Sequence, residues 1–326
     1  MNNSNKSKYL KATAITAGAV SLLTVFIGEL SYLFSLTRQG VSGKIVQGFV
    51  DRSKAKKPID EYKQMLDDKI ACGKSWIESQ PLKKIIIERE KSKNLHADFL
   101  PAENPTDIYV IVSHGYKSSP HHMGIYAEEF HKMGFNVLLP SLRGHADSEE
   151  DFITMGWKDR LDLIDWINYL ITKQPNCKII LHGVSMGGAT TMMATGEKLP
   201  DNVKLAIEDC GYTNAWEILG LKITSDVKLP IFPFLYCANE VNKVREKFDL
   251  KKASAIEQVK KSITPTLFIH GEKDTFVPFS MLDEVYNAAA CKKEKVAIPD
   301  APHARSVCAH PDLYWSSIKN FIKKYI

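Results

Sequence analysis

The sequence predicts an α/β fold: a mostly parallel, doubly wound sheet with helices on both faces. Two observations predict it. Short apolar, β-branched runs alternate with stretches of helical spacing from residue 84 to the C-terminus. The composition is that of an ordinary globular chain, with 326 residues, 44% hydrophobic and 25% charged, enough to bury a sizeable core without disulfide or metal staples. There is no internal repeat and no low-complexity segment.

The elements follow in order. Residues 12–36 read ATAITAGAVSLLTVFIGELSYLFSL, long enough to cross a bilayer at roughly 20 apolar residues. Lys6, Lys8 and Lys11 precede the run, and Tyr9 and Tyr32 stand near its ends, where interfacial aromatics sit. Glu29 interrupts it and would be costly at a bilayer centre. We read residues 1–37 as an N-terminal membrane anchor. The alternatives are a cleaved signal, although no A-x-A site follows, and a peripheral or buried helix. Both flanks are basic, so the side of the membrane is not chosen.

Residues 38–82 read as a linker and leading helices, with Ile59, Tyr62, Leu66 and Ile70 at helical spacing behind Pro58. The catalytic domain is expected over 83–326. It opens with a hairpin (84–89, 95–100) and continues as strand 107–113, helix 120–133, strand 136–140, helix 157–173, strand 178–183, helix 186–197 and strand 204–209. Strand 265–270, helix 279–290, strand 295–299 and helix 311–325 complete it. Residues 212–263 break the alternation and are too long for a βα connection, so we expect an inserted cap there. Its apolar stretch LPIFPFLY (229–236) makes Phe232, Phe234 and Tyr236 candidate substrate contacts.

Charge and cysteines exclude several function classes. The net charge of +5 is not gathered into one arm, so no nucleic-acid partner is expected. Six cysteines are scattered without CxxC or metal-ligand spacing. No GxGxxG, P-loop or HExxH is present, so neither a cofactor nor a metal is expected.

The sharpest motif is Gly183-Val184-Ser185-Met186-Gly187, which closes a predicted strand and opens a predicted helix. That placement is what a nucleophile elbow requires: glycines admit the tight turn that lifts the serine hydroxyl above the sheet. A serine needs a base to take its proton. In chain order the partners are Asp274, in the loop after strand 265–270, and His303, just past strand 295–299. Asp209, at the end of another strand, is the alternative acid, and His310 the fallback base. The developing oxyanion needs donors, for which we select the backbone N–H groups of Met186 and Tyr116.

These stretches resemble the α/β-hydrolase superfamily, and most closely its bacterial serine aminopeptidase-like and esterase-lipase branch. The resemblance rests on SHGYKSSP (113–120), LLPSLRGHADSE (138–149), LHGVSMGG (181–188), FIHGEKDTFVP (268–278) and APHARS (301–306), and covers roughly residues 60–326. It implies an α/β-hydrolase fold with an inserted cap and a Ser185–Asp274–His303 triad. Pro302 departs from it, standing where related sequences usually carry glycine. The expected function is hydrolysis of a carboxylic ester of an apolar or aromatic acyl group through an acyl-enzyme. An amidase or aminopeptidase, or a thioesterase, on the same triad is the alternative. An aminopeptidase needs a carboxylate for the substrate ammonium, for which the cap offers Glu217, Asp226 and Glu240. The reading from another class is a non-catalytic membrane-anchored binding protein. The expected partners are a small-molecule ester or amide and, through the N-terminal segment, a membrane.

Overall fold

The computed structural model describes residues 27–29, 32, 36–38 and 60–326. Most of the expected anchor (12–36), and the linker from 39 to 59, lie outside the described residues. Eight strands form one sheet in the order β1-β2-β4-β3-β5-β6-β7-β8. β1 (Lys83–Ile87), β2 (Leu95–Leu100) and β4 (Asn136–Pro140) pair antiparallel. β3 (Ile108–Ser113), β5 (Lys178–Val184), β6 (Val203–Asp209), β7 (Thr266–Gly271) and β8 (Lys293–Ile298) extend the sheet from β4 in parallel. The expected doubly wound α/β sheet is therefore what the chain forms.

Side-chain alternation assigns the two faces. Val110 and Val112 of β3, with Ile180 of β5, pack toward α1 (Glu61–Glu78), α2 (Gly124–Lys132) and a C-terminal helix (Pro311–Ile322). Ile111, Ile179 and Leu181 face α3 (Asp159–Lys173), through Leu163, Trp166 and Ile167. The central strands read as unbroken apolar runs because both faces are covered. The helix after β5, α4 (Met186–Thr195), is buried along its whole length, which its sequence MGGATTMMAT permits.

The insertion between β6 and β7 is helical. It comprises α5 (Ala215–Lys222), a π turn (Ile223–Val227), α6 (Ile231–Arg245) and a short 3₁₀ turn (Leu250–Lys252); α7 (Ala255–Val259) then leads to β7. Asn214 starts α5 by accepting from the Trp216 N–H at 2.7 Å. Asn239 and Asn242 tie α6 to the returning chain through Asp249, Leu250 and the Phe248 carbonyl. Regular α6 geometry starts after Phe232, whose backbone is extended. The remaining helices are α8 (Ser280–Ala288), α9 (Ser306–Ala309) and α10 (Pro311–Ile322).

The last part of the 12–36 run touches the cap. Glu29 pairs with Arg245 at 2.8 Å, the Tyr32 hydroxyl donates to Glu246, and Leu36 is fully buried. The Leu36 carbonyl accepts from Ile153 N–H at 2.7 Å. Among the described residues no helix is long and apolar enough to cross a membrane.

Candidate active site

The loops at the carboxyl ends of β3, β5, β7 and β8 converge on Ser185. Its backbone sits at φ 58, ψ −118, a conformation that L-residues rarely adopt. Close packing maintains it. A Cβ on Gly183 would fall 2.1 Å from the Gly187 carbonyl oxygen, and one on Gly187 would fall 2.1 Å from that of Ser113. Only glycine fits at either position. The Ser185 N–H donates to Asp209 O at 2.8 Å, which anchors the turn on β6.

The Ser185 hydroxyl donates to His303 Nε2 at 2.8 Å, and His303 Nδ1–H donates to Asp274 Oδ2 at 2.6 Å. The other Asp274 oxygen accepts from the N–H groups of Phe276 and Val277 at 2.8 and 2.9 Å. Pro302 does not displace the imidazole: it sits in a tight turn, with its carbonyl accepting from Arg305 N–H at 3.1 Å.

A second imidazole lies behind the aspartate. His270, at the end of β7, is 3.2 Å from Asp274 Oδ2 and 3.1 Å from the Val277 carbonyl. Burial alone would raise the Asp274 carboxyl; hydrogen bonds from His270 and His303 outweigh it and hold the group down at about 2. Burial would lower His270, but the hydrogen bond to Asp274 and the field of Glu208 raise it. Sequence reasoning missed His270, although its position four residues before Asp274 in FIHGEKD is a usable signal.

Two further buried carboxyls lie under the elbow. Glu208 is pushed up to about 8 by burial and accepts from Gly211 N–H at 2.9 Å. Asp209, the alternative acid, is pushed up to about 6 by burial. It accepts from Ser306 Oγ at 3.2 Å, while the carboxylate bonded to His303 is that of Asp274. His310, the fallback base, lies past α9 at the start of α10.

The oxyanion side is built from the loop after β3 and the start of α4. Met186 is the first residue of α4, whose positive end faces the site. A Cβ on Gly115 would approach Ser185 Oγ to 3.8 Å, so the 115–116 peptide passes close to the nucleophile. That loop is held from below. Lys117 N–H donates to His145 Nε2 at 2.8 Å, and His145 Nδ1–H donates to the Arg143 carbonyl. Arg143 makes a two-pronged pair with Asp162 at 2.6 and 2.8 Å. Burial lowers His114 to about 3 and His145 to about 4, so both rings are neutral near pH 7.

Two cavities meet at Ser185, and both are bordered by Tyr116 and Phe276. One, of about 220 Å³, lies under the cap against Met155, Tyr212, Ile218, Leu219 and Val227. The other, of about 310 Å³, contains His303 and reaches Ile70 of α1. Phe232, Phe234 and Tyr236, the expected substrate contacts, line neither. Phe232 is 70% exposed and Tyr236 44%, and the cap residues at the cavity come instead from α5 and the π turn. The reason is register: 229–236 is apolar on every side, so its sequence does not reveal which side faces the site. A wider groove of about 610 Å³ between α1 and α2 includes none of these residues.

Among the described residues, Cys210, Asp274 and His303 form the one group with ligand atoms close enough together for a metal, within 4.8 Å. Asp274 and His303 are already bonded to each other, and burial pushes the Cys210 thiol well up, which disfavours the thiolate a metal needs.

Comparison with known proteins is consistent with this architecture. The profile of the prolyl oligopeptidase family matches residues 122–318. The uncharacterized protein YqkD of Bacillus subtilis (strain 168) is 26% identical over 222 residues, 68% of this chain and 73% of that protein. The thermostable monoacylglycerol lipase of Bacillus sp. (strain H-257) is 27% identical over 219 residues, 61% of this chain and 84% of the lipase. Among solved structures, the Pyrococcus furiosus esterase Pf2001 superposes with a TM-score of 0.61 at 24% identity, covering 76% of this chain and 93% of the esterase. Est1E of Butyrivibrio proteoclasticus, solved with ferulic acid bound, gives 0.58 at 20% identity, covering 74% and 98%. These structural likenesses show the fold.

Proposed function

The chain belongs to the prolyl oligopeptidase family and is an esterase- or lipase-like α/β hydrolase; on that premise we propose that it cleaves a carboxylic ester of an apolar or aromatic acyl group through an acyl-enzyme on Ser185. The observation that carries the reading is the relay from Ser185 Oγ to His303 Nε2 at 2.8 Å, and from His303 Nδ1 to Asp274 at 2.6 Å.

In this mechanism His303 accepts the Ser185 proton as Oγ attacks the carbonyl carbon. The N–H groups of Met186 and Tyr116 stabilise the oxyanion. His303 then protonates the leaving oxygen as the ester C–O bond breaks. Water, deprotonated by the same imidazole, attacks the acyl carbon, releases the acid and restores Ser185. Asp274 stays ionised throughout, fixes the His303 tautomer and stabilises the imidazolium. The depressed Asp274 carboxyl suits that duty.

The apolar cavity favours an ester of an uncharged acyl group over an aminoacyl amide. Of the three cap carboxylates, Asp226 borders the cavity and stands 3.8 Å from Lys222. Glu217 bonds Thr213, and Glu240 is exposed beside Lys243 at 2.8 Å. Neither Glu217 nor Glu240 borders the cavity, and Asp226 does so beside the cationic Lys222, which also lines it. The test is labelling with a fluorophosphonate probe, with the adduct mapped by mass spectrometry. One adduct on Ser185, absent from Ser185→Ala, is expected; a wild-type protein left unlabelled would overturn the reading.

We also infer membrane association through the N-terminal segment, residues 1–37, supported by its apolar run from Ala12 and the lysines before it. The full chain should sediment with membranes and resist a carbonate wash, and removal of residues 1–26 should release it. Recovery of the full chain in the soluble fraction would overturn that inference.

A further inference from the structure

Ser185 lies where two cavities meet, and they differ in one chemical respect. The 310 Å³ cavity includes His303; the 220 Å³ cavity under the cap does not. This difference orients a substrate. The proton that His303 takes from Ser185 must be handed to the leaving oxygen, so that oxygen has to lie on the His303 side of the carbonyl. The acyl group then extends the other way, under the cap, and the alcohol portion enters the larger cavity.

One residue of that cavity's wall comes from α1, a helix that precedes the sheet and lies outside the span of the family match. Ile70 of α1 lines it together with Met123, Tyr126 and Ala304. The helix is fixed in place. Asp67 pairs with Arg305, two residues past His303, at 2.9 Å from its Nε. Lys69 donates to the Cys308 carbonyl at 2.8 Å. Gly73 and Gly124 bring α1 and α2 into backbone contact, since a Cβ on Gly124 would lie 2.0 Å from the Gly73 carbonyl oxygen. The lining is mostly apolar with a polar edge from Ser118, His122 and Arg305, and Arg305 is already paired. A charged leaving group would find no uncompensated partner there.

We propose that α1 and the 303–305 turn form a leaving-group subsite for a compact neutral alcohol with an apolar or aromatic body, and that Ile70 sets its size limit. The assignment rests on the serine-ester reading above. The bond balance is that of acylation: the Ser185 Oγ–acyl bond forms, the acyl–alkoxy bond breaks, and the serine proton leaves with the alcohol by way of His303.

The test uses the full chain and esters matched on one side. Methyl butyrate and benzyl butyrate share an acyl group and pass through the same butyryl-enzyme, so a difference between them reports the alcohol side alone. Ile70→Trp, which fills the subsite, should lower kcat/KM for benzyl relative to methyl butyrate by roughly tenfold or more. Ile70→Ala, which enlarges it, should shift the same ratio the other way and covers the case in which the tryptophan variant does not fold. Ile218→Trp, in the cap cavity, should instead penalise methyl hexanoate relative to methyl acetate. An unaltered benzyl-to-methyl ratio in both Ile70 variants, or a hexanoate-to-acetate penalty from Ile70→Trp, would overturn the subsite. If the wild type hydrolyses none of these esters and takes no fluorophosphonate, the serine-ester reading itself fails, and the subsite with it.

Discussion

The nucleophile elbow and the cap are built on opposite principles. Beneath Ser185 the chain is tightly packed: backbone approaches admit only glycine at 183 and 187, α4 is wholly buried, and Asp274 accepts from Phe276, Val277, His270 and His303. In the cap, Phe232 and Val244 are each 70% exposed, and Lys222 reaches the body across the face of Phe276 at 3.7 Å. The proposed chemistry sits where packing over-determines geometry, and one wall of the cavity under the cap comes from an insertion whose surface is loosely specified.

Substitutions should reproduce that contrast. The largest effect is expected at the relay. Asp274→Asn should lower kcat by about 10⁴-fold, because the amide no longer selects the productive His303 tautomer. Steady-state kinetics on a short-chain ester checks it, and a loss under tenfold would mean that another group orients the ring.

Next is the elbow itself. Gly187→Ala places a Cβ 2.1 Å from the Ser113 carbonyl oxygen, and should cost about 3 kcal/mol of stability as well as activity. Denaturant unfolding measures it; a variant as stable as the wild type would show that the elbow yields.

A smaller, pH-dependent effect belongs to Glu208, whose carboxyl sits at about 8 in the folded chain against an ordinary 4.5. Between those values the unfolded chain releases a proton that the folded chain keeps, so stability falls as pH rises from about 4.5 to about 8. Glu208→Gln keeps an oxygen for the Gly211 N–H and loses that dependence. It should lie near the wild type at pH 5 and exceed it by a margin that grows as pH rises toward 8. Parallel melting-temperature profiles would contradict this.

The smallest effect is expected on the cap exterior. Phe232→Ser should change stability by under about 0.5 kcal/mol, and ester turnover little. A large loss of turnover would return Phe232 to the substrate path and erase the contrast.

The same contrast explains what the sequence made legible. β3, β5 and β7 stand out because burial on both faces demands continuous apolar runs. Ser185 stands out because its turn demands glycines, and Asp274 and His303 because they lie in the loops that follow successive strands. His270 and Glu208 are hidden, because a polar residue inside a buried strand looks the same in sequence whether it serves the site or merely satisfies a neighbour. That Phe232, Phe234 and Tyr236 lie off both cavities is not legible, because 229–236 has no polar side from which its orientation can be inferred. Ile70 reads as an ordinary apolar position of a leading helix, and its place beside the site depends on the Asp67–Arg305 pair, more than 200 residues apart in sequence.

Phe276 is stacked on the His303 ring, with centroids 4.7 Å apart, while Lys222 of α5 covers its ring. Cap position and base alignment are thereby joined in one stack of three side chains. Lifting α5 would strip the ammonium from the aromatic face and leave the imidazole with a less constrained neighbour. In the proposed mechanism the alignment of the His303 ring therefore depends on the position of α5 as well as on Asp274.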